Sequence, residues 1–264
     1  IECRVYAEDP SNNFLPAAGR LLKVVEPSGP GVRVDSGVTS GDEVGLHYDP
    51  LVAKVIAHAE TREAAIRKMQ TALREYVLLG VTTNVEFLRA VLAHEEFQRG
   101  VATTALLQER FGAWSSMSAS VPPEALIAAA LADMLTTPTM NAARANGVDD
   151  SPWTRTDGFR VGDSVVATLR LHSGHALVAS LTTKVVTTSP FSQVTGSTMD
   201  FSYLVGNDFH KVRLEKDGKG YQATLNGATH TVEVLAVAPD ELRFVMNGRV
   251  VTAHVALDGS QRWV

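Results

Sequence analysis

The sequence predicts an α+β lobe, a small antiparallel sheet plus helices, followed by an antiparallel β-barrel around a buried helix. Three observations carry this. Short alternating runs over residues 1–59 give way at Thr61 to apolar residues at helical spacing. Residues 126–135 are apolar almost all round, which marks a helix buried on most sides. From Arg160 onward the pattern is nearly pure β, punctuated by Asp217-Gly218, Asn226-Gly227, Asn247-Gly248 and Asp258-Gly259, each of which favours a type I′ hairpin.

In chain order, strands are expected over 1–7, 19–25, 29–36 and 51–59. A helix over 61–77 buries Ala65, Ile66, Met69, Ala72, Leu73, Tyr76 and Val77, with Thr61 as N-cap and Gly80 as its stop. Thr83-Asn84-Val85-Glu86 reads as a capping box that opens a second helix, and a short third helix spans 104–110. Residues 112–121 read as a linker, so the domains are expected at 1–115 and 116–264. Pro122-Pro123-Glu124 opens the apolar helix, and 141–150 reads as a loop. Strands then follow at 164–171, 175–181, 184–188, 200–205, 209–216, 221–225, 229–236, 241–246, 249–257 and from 261. Joined by hairpins, they form an antiparallel meander, and closure into a barrel removes its exposed edges.

Composition narrows the function. With 45% hydrophobic and 20% charged residues among 264, the chain is globular rather than disordered. A net charge of −5 and no basic stripe argue against a nucleic-acid partner. The lone Cys3 excludes an intramolecular disulfide, and the apolar run 125–132 is far too short for a membrane span. The first residues read as mid-strand, without methionine or signal peptide, and the last also lie in a strand, so a fragment of a longer polypeptide is expected. His47 and His58 lack a ligand spacing. His172, His175, His210, His230 and His254 read as barrel-surface histidines, with His230 and His254 pointing to a polar face. The sequence has no phosphate-binding glycine loop, nucleophile elbow or Met-Lys-Met carrier motif.

The stretch that invites a functional reading is Gly29-Pro30-Gly31-Val32-Arg33-Val34-Asp35-Ser36. Its glycines and proline make a tight turn, and the alternation places Arg33 and Asp35 on one side of a strand. An arginine there offers several donors to a planar anion or polarised carbonyl. Taken alone, the same stretch fits a solvated arginine on an edge strand.

Its neighbours add a resemblance. Glu2-Cys3-Arg4-Val5-Tyr6-Ala7-Glu8-Asp9-Pro10, Phe14-Leu15-Pro16, the Gly29–Val38 stretch, Tyr48-Asp49-Pro50-Leu51-Val52-Ala53-Lys54-Val55-Ile56, Thr61-Arg62-Glu63-Ala64-Ala65-Ile66 and Gly80-Val81-Thr82-Thr83-Asn84 resemble the C-terminal domain of biotin carboxylase, in order and spacing, over about 1–111. His47 departs from that pattern, where a tyrosine is usual. Ser151-Pro152-Trp153 and Asp157-Gly158-Phe159-Arg160 resemble the subunit-interaction (BT) domain of acyl-CoA carboxylase α subunits, with Phe159 where tryptophan is common.

The resemblance implies a ligase that uses ATP, Mg2+ and bicarbonate to carboxylate biotin. Arg33 would be its catalytic, biotin-binding arginine, holding the ureido oxygen. The nucleotide, metal and biotin-attachment sites would lie outside these residues. It also implies a carboxyltransferase β subunit and a biotin carboxyl carrier domain as partners, within a hetero-oligomer in the cytoplasm (preferred) or the mitochondrial matrix. The domain order most resembles 3-methylcrotonyl-CoA carboxylase, then propionyl-CoA and other acyl-CoA carboxylases. A barrel used only for non-catalytic assembly is the alternative.

Overall fold

The computed structural model describes residues 1–112, 114, 121–136, 165–172, 178–185, 198–205, 208–258 and 261–264. They fall into two units, one over Ile1–Ser120 with His172–Val178, the other over Val121–Leu171 with Ala179–Val264.

The first unit runs β1 (Glu2–Tyr6), β2 (Glu8–Asp9), β3 (Leu15–Pro16), β4 (Gly19–Arg20), β5 (Lys23–Val25), β6 (Val32–Ser36), β7 (Glu43–Val44), β8 (Leu51–Ala57), α1 (Arg62–Glu75), β9 (Val77–Leu79), α2 (Val85–Ala93), α3 (Glu95–Gln98) and α4 (Leu106–Phe111). Its centre is a three-stranded antiparallel sheet in the order β1-β8-β6, beside the small pairs β2–β3, β4–β7 and β5–β9. Thr61 caps α1 as expected, its hydroxyl accepting the Ala64 N–H at 3.2 Å. Met69, Ala72 and Leu73 of α1 share a core with Cys3, Val5, Val55 and Ala57 of the sheet.

Three expectations change here. The helix ends at Glu75, because Val77–Leu79 pairs with Lys23–Val25 and takes its hydrogen bonds from a sheet instead. Gly80 does not stop the helix: at φ 109° it seats against Arg20 O and Leu22, where a Cβ would collide. Nor do residues 83–86 form a capping box. Asn84 occupies the N-cap of α2 without a side-chain cap bond, and its amide reaches β1 instead.

The second unit holds α5 (Pro123–Thr136), β10 (Val165–His172), β11 (Val178–Val185), β12 (Thr198–Val205), β13 (Asp208–Asp217), β14 (Gly220–Leu225), β15 (Ala228–Ala238), β16 (Glu241–Met246), β17 (Arg249–His254), β18 (Ala256–Asp258) and β19 (Gln261–Trp263). Every residue from Ala125 to Ala132 is buried, more than two full turns, so α5 meets protein all round. Its core neighbours include Tyr203, Val212, Leu214, Ala223, Leu225 and Phe244, all from one ten-stranded sheet.

The sheet order is β17-β16-β15-β14-β13-β12-β11-β10-β19-β18. The ladder ends at β17 and β18, which Val255 alone separates along the chain. Of the expected strands at 175–181 and 184–188, the described part is one continuous strand, Val178–Val185, and 175–177 and 186–188 lie outside the described residues. The expected strand 249–257 breaks at Val255. There the pairing with β16 runs out at Glu241, Val255 N–H bonds to Asp240 O at 3.1 Å, and Ala256 takes up Trp263. β10 pairs parallel with β19, Thr168 opposite Gln261. The segment 151–160 that resembled a BT domain and the loop 141–150 lie outside the described residues.

The hairpin signals hold at two turns. Asn226 and Gly227 have φ 49° and 89°, and Asn247 and Gly248 have φ 50° and 79°, the double left-handed pattern of type I′. At the Asp217-Gly218 turn the loop is Gly218-Lys219 and only Gly218 has positive φ (58°), which excludes type I′. Each turn asparagine also reaches the strand beside its hairpin, β13 for Asn226 and β15 for Asn247. Asn226 Oδ1 accepts Lys211 N–H at 3.3 Å and its amide meets His210 Nδ1 at 2.9 Å. Asn247 repeats this with Thr231 N–H at 3.0 Å and His230 Nδ1 at 2.9 Å. His230 therefore does not point to a polar face: period two places it on the side of buried Val232, half-buried and hydrogen-bonded.

Candidate functional site

The glycine turn is welded to the rest of the sheet. Val32 N–H donates to Gly29 O at 3.1 Å, and His58 N–H to Gly31 O at 2.8 Å. Lys68 Nζ of α1 donates to His58 O at 2.9 Å. Gly31 has φ 74°, and a Cβ there would lie 2.5 Å from both His58 O and Lys68 Nζ. Only glycine fits this close approach.

β6 leaves the turn and pairs antiparallel with β8, with Arg33 opposite Ile56 and Asp35 opposite Lys54. β1 pairs on the other side of β8, with Glu2 opposite Ile56 and Arg4 opposite Lys54. The pleat then sorts the side chains. Cys3, Val5, Ala53, Val55 and Ala57 are buried toward α1. The opposite face carries two rows across the sheet, Glu2–Ile56–Arg33 and Arg4–Lys54–Asp35.

Two ion pairs form within single strands on this face. Arg33 Nε lies 3.0 Å from Asp35 Oδ1, and Nη2 donates to Oδ2 at 3.2 Å. This two-point contact is the side-on edge of the guanidinium fork. Arg4 Nε meets Glu2 Oε1 at 3.2 Å, and that carboxylate pushes the Arg4 guanidinium above its ordinary value. Lys54 lies between Arg4 and Asp35 in register but forms no ion pair among the described residues. The face thus carries three cations against two carboxylates.

The sequence placed Arg33 and Asp35 on one side of the strand, and the structure joins them directly. Sequence reasoning missed Lys54 and Arg4 as members of the same face; their signal was period two in 51–57 and 2–6 once register is known. His47 is exposed, and so is Tyr48 beside it. Nearby, burial and then the Asp49 carboxylate push Glu8 above the usual range. Among the described residues no three His, Cys, Asp or Glu are grouped to hold a metal ion. No described helix is long and apolar enough to cross a membrane.

What this face can do is donate hydrogen bonds to an oxygen that carries or gains negative charge. Arg33 has five N–H donors and Asp35 takes two. The remaining edge suits a carbonyl oxygen such as that of a urea. Neither a phosphate-binding loop nor a metal cluster accompanies them among the described residues.

Residues 2–109 match the biotin carboxylase C-terminal domain, and residues 122–264 match the BT domain of the methylcrotonyl-CoA carboxylase alpha subunit. The chain therefore belongs to the biotin-dependent carboxylase α-subunit family, its second half being a BT domain of the methylcrotonyl-CoA carboxylase α-subunit type. It is 35% identical over 177 residues to the mitochondrial methylcrotonoyl-CoA carboxylase subunit alpha of Rattus norvegicus, covering 66% of this chain and 25% of that one. It is 42% identical over 148 residues to the mitochondrial propionyl-CoA carboxylase alpha chain of Caenorhabditis elegans, covering 55% and 20%. Among solved structures, the biotin carboxylase domain of Hydrogenobacter thermophilus 2-oxoglutarate carboxylase is 37% identical over 41% of this chain and 24% of that one, with a TM-score of 0.40. The chain spans a quarter or less of the length of these relatives.

Proposed function

We propose that this chain is part of the α subunit of a biotin-dependent acyl-CoA carboxylase, a ligase, in which residues 1–115 complete the biotin carboxylase site and residues 116–264 dock the carboxyltransferase β subunit. The observation that carries the reading is Arg33. It stands on the outer face of a rigid sheet, anchored by a glycine turn, with one edge of its guanidinium beyond the reach of Asp35.

In this reading Arg33 holds the ureido oxygen of biotin and stabilises the negative charge that gathers there as the ring nitrogen loses its proton. Bound biotin supplies that nitrogen as the acceptor of the carboxyl group. Arginine stays charged throughout and needs no proton transfer of its own. A fixed donor aimed at developing charge lowers the barrier by about 2–4 kcal/mol. In the same reading ATP and Mg2+ would bind outside these residues.

For the second unit we infer closure of the sheet into a barrel around α5. Support comes from the ladder, whose two ends are joined in the chain by Val255 alone, and from a helix buried on every side. Such a unit is an assembly module for a hetero-oligomer, with the β subunit and the biotin carboxyl carrier domain as partners. The family match over 122–264 favours 3-methylcrotonyl-CoA over propionyl-CoA as the acyl substrate. The test is the complete α subunit, co-expressed with its β subunit and assayed on both acyl-CoAs. A stable complex with higher kcat/KM on 3-methylcrotonyl-CoA is expected. Preference for propionyl-CoA would overturn the substrate assignment, and failure of the subunits to co-purify would overturn the docking role.

A further inference from the structure

We propose that Asp35 is a positioning residue for Arg33. It holds the side-on edge of the guanidinium, so that the end-on edge is the one presented to a substrate carbonyl oxygen. The proposal rests on the reading of Arg33 given above.

The geometry is specific. Asp35 engages Nε at 3.0 Å and Nη2 at 3.2 Å, which leaves Nη1 and one Nη2 proton pointing away along the other edge. Those two N–H groups are parallel and can share one carbonyl oxygen. The strand beneath cannot drift, because Gly31 is fixed against His58 and Val34 pairs with Val55 behind the pair. Lys54 stands opposite Asp35 in register yet makes no ion pair with it, so the carboxylate is committed to Arg33.

Stability does not account for the contact. The two side chains are 71% and 49% exposed, and an exposed ion pair contributes little to stability. Orientation does account for it. A free arginine samples many rotamers and loses side-chain entropy when fixed. A carboxylate two residues along the strand fixes the fork before substrate arrives, and preorganised donors are the ones that lower barriers.

The test uses the complete α subunit carrying Asp35→Asn, Asp35→Glu, Arg33→Ala, and Arg33→Ala with Asp35→Asn. ATP-dependent carboxylation of free biotin and thermal melting are read for each. Asp35→Asn is expected to lower kcat/KM for biotin about tenfold while leaving KM for ATP and the melting temperature at the parental values. Asp35→Glu should recover part of the loss, since it keeps the charge. In the Arg33→Ala background Asp35→Asn should cost nothing further, because its effect runs through Arg33. Asp35→Ser serves as the second variant and should show the same biotin-specific loss. A parental rate in both Asp35→Asn and Asp35→Ser, or an equal loss with Arg33 already removed, overturns the proposal. An Arg33→Ala enzyme with parental activity instead overturns the reading of Arg33 itself, and the positioning role falls with it.

Discussion

Asn84 and Tyr6 are joined by two hydrogen bonds across 78 residues of sequence: Tyr6 N–H donates to Asn84 Oδ1 at 2.9 Å, and Asn84 N–H donates to Tyr6 O at 3.1 Å. Asn84 Nδ2 adds a third bond to Arg4 O at 3.2 Å. β1 is an edge strand, and one buried asparagine satisfies three of its outward backbone groups. It thereby ties the strand bearing Glu2 and Arg4 to the start of α2.

Replacing Asn84 with alanine leaves the Tyr6 N–H and the Arg4 carbonyl without their partner. A loss of about 1–3 kcal/mol is expected, because partly buried backbone groups would lose hydrogen bonds that no other protein group replaces. Urea unfolding reads it as a lower midpoint at unchanged slope. An unchanged midpoint would mean that water replaces Asn84 without cost.

Gly31 and Gly80 separate stability from function. Both have positive φ, and a Cβ at either meets backbone. Gly31→Ala and Gly80→Ala should each lose about 1–3 kcal/mol. Gly31 lies two residues before Arg33, so its variant should also lower kcat/KM for biotin, whereas Gly80→Ala at low temperature should retain it. Equal kinetic losses in the two would contradict a local role for the glycine turn.

Much of this architecture was legible in the sequence, for local reasons. The Asn226-Gly227 and Asn247-Gly248 turns were, because left-handed φ at both positions leaves few other choices. Helix α1 was, from its 3.6-residue apolar spacing and the Thr61 cap. Arg33 and Asp35 were placed on one face by period two alone. What escaped depends on distant partners. Val77–Leu79 continues a helical apolar pattern, and only its partner β5 makes it a strand. Thr83 and Glu86 satisfy a capping-box pattern, but Asn84 takes the N-cap position and the unpaired edge of β1 claims its side chain. The parallel pairing of β10 with β19 joins strands about ninety residues apart (Thr168 opposite Gln261), which no local signal encodes. Lys54 joined the site only through its register with Asp35.

The turn asparagines do two jobs, and substitution should divide them. Asn226→Gly keeps the left-handed φ but loses the bonds to Lys211 and His210, at about 0.5–1.5 kcal/mol. Asn226→Ala loses those bonds and adds about 1–2 kcal/mol of left-handed strain. Thermal melting should therefore rank parent above Gly above Ala, and Asn247 should repeat the order. Equal Gly and Ala variants would show that the turn tolerates a right-handed residue.

Alkaline pH should destabilise the first unit. Burial pushes the Cys3 thiol up to about 12, and burial followed by the Glu26 carboxylate pushes the Tyr76 hydroxyl up to about 12. Both folded values lie above the unfolded ones, so this stability is complete below about pH 8.5 for Cys3 and about pH 10 for Tyr76. It then falls as the unfolded chain releases protons that the native chain retains, up to about pH 12. Urea midpoints should decline from pH 8.5 to 11, and Cys3 should resist alkylation at pH 8 until the chain unfolds. Rapid alkylation of native protein would contradict the burial of the thiol.

The central claim rests on Arg33, and the most direct measurement is ATP-dependent carboxylation of free biotin by the complete α subunit carrying Arg33→Ala. The account predicts a fall in kcat of roughly 10²–10³, the loss of one donor aimed at developing negative charge, with melting temperature unchanged. A variant that carboxylates biotin at the parental rate would contradict it.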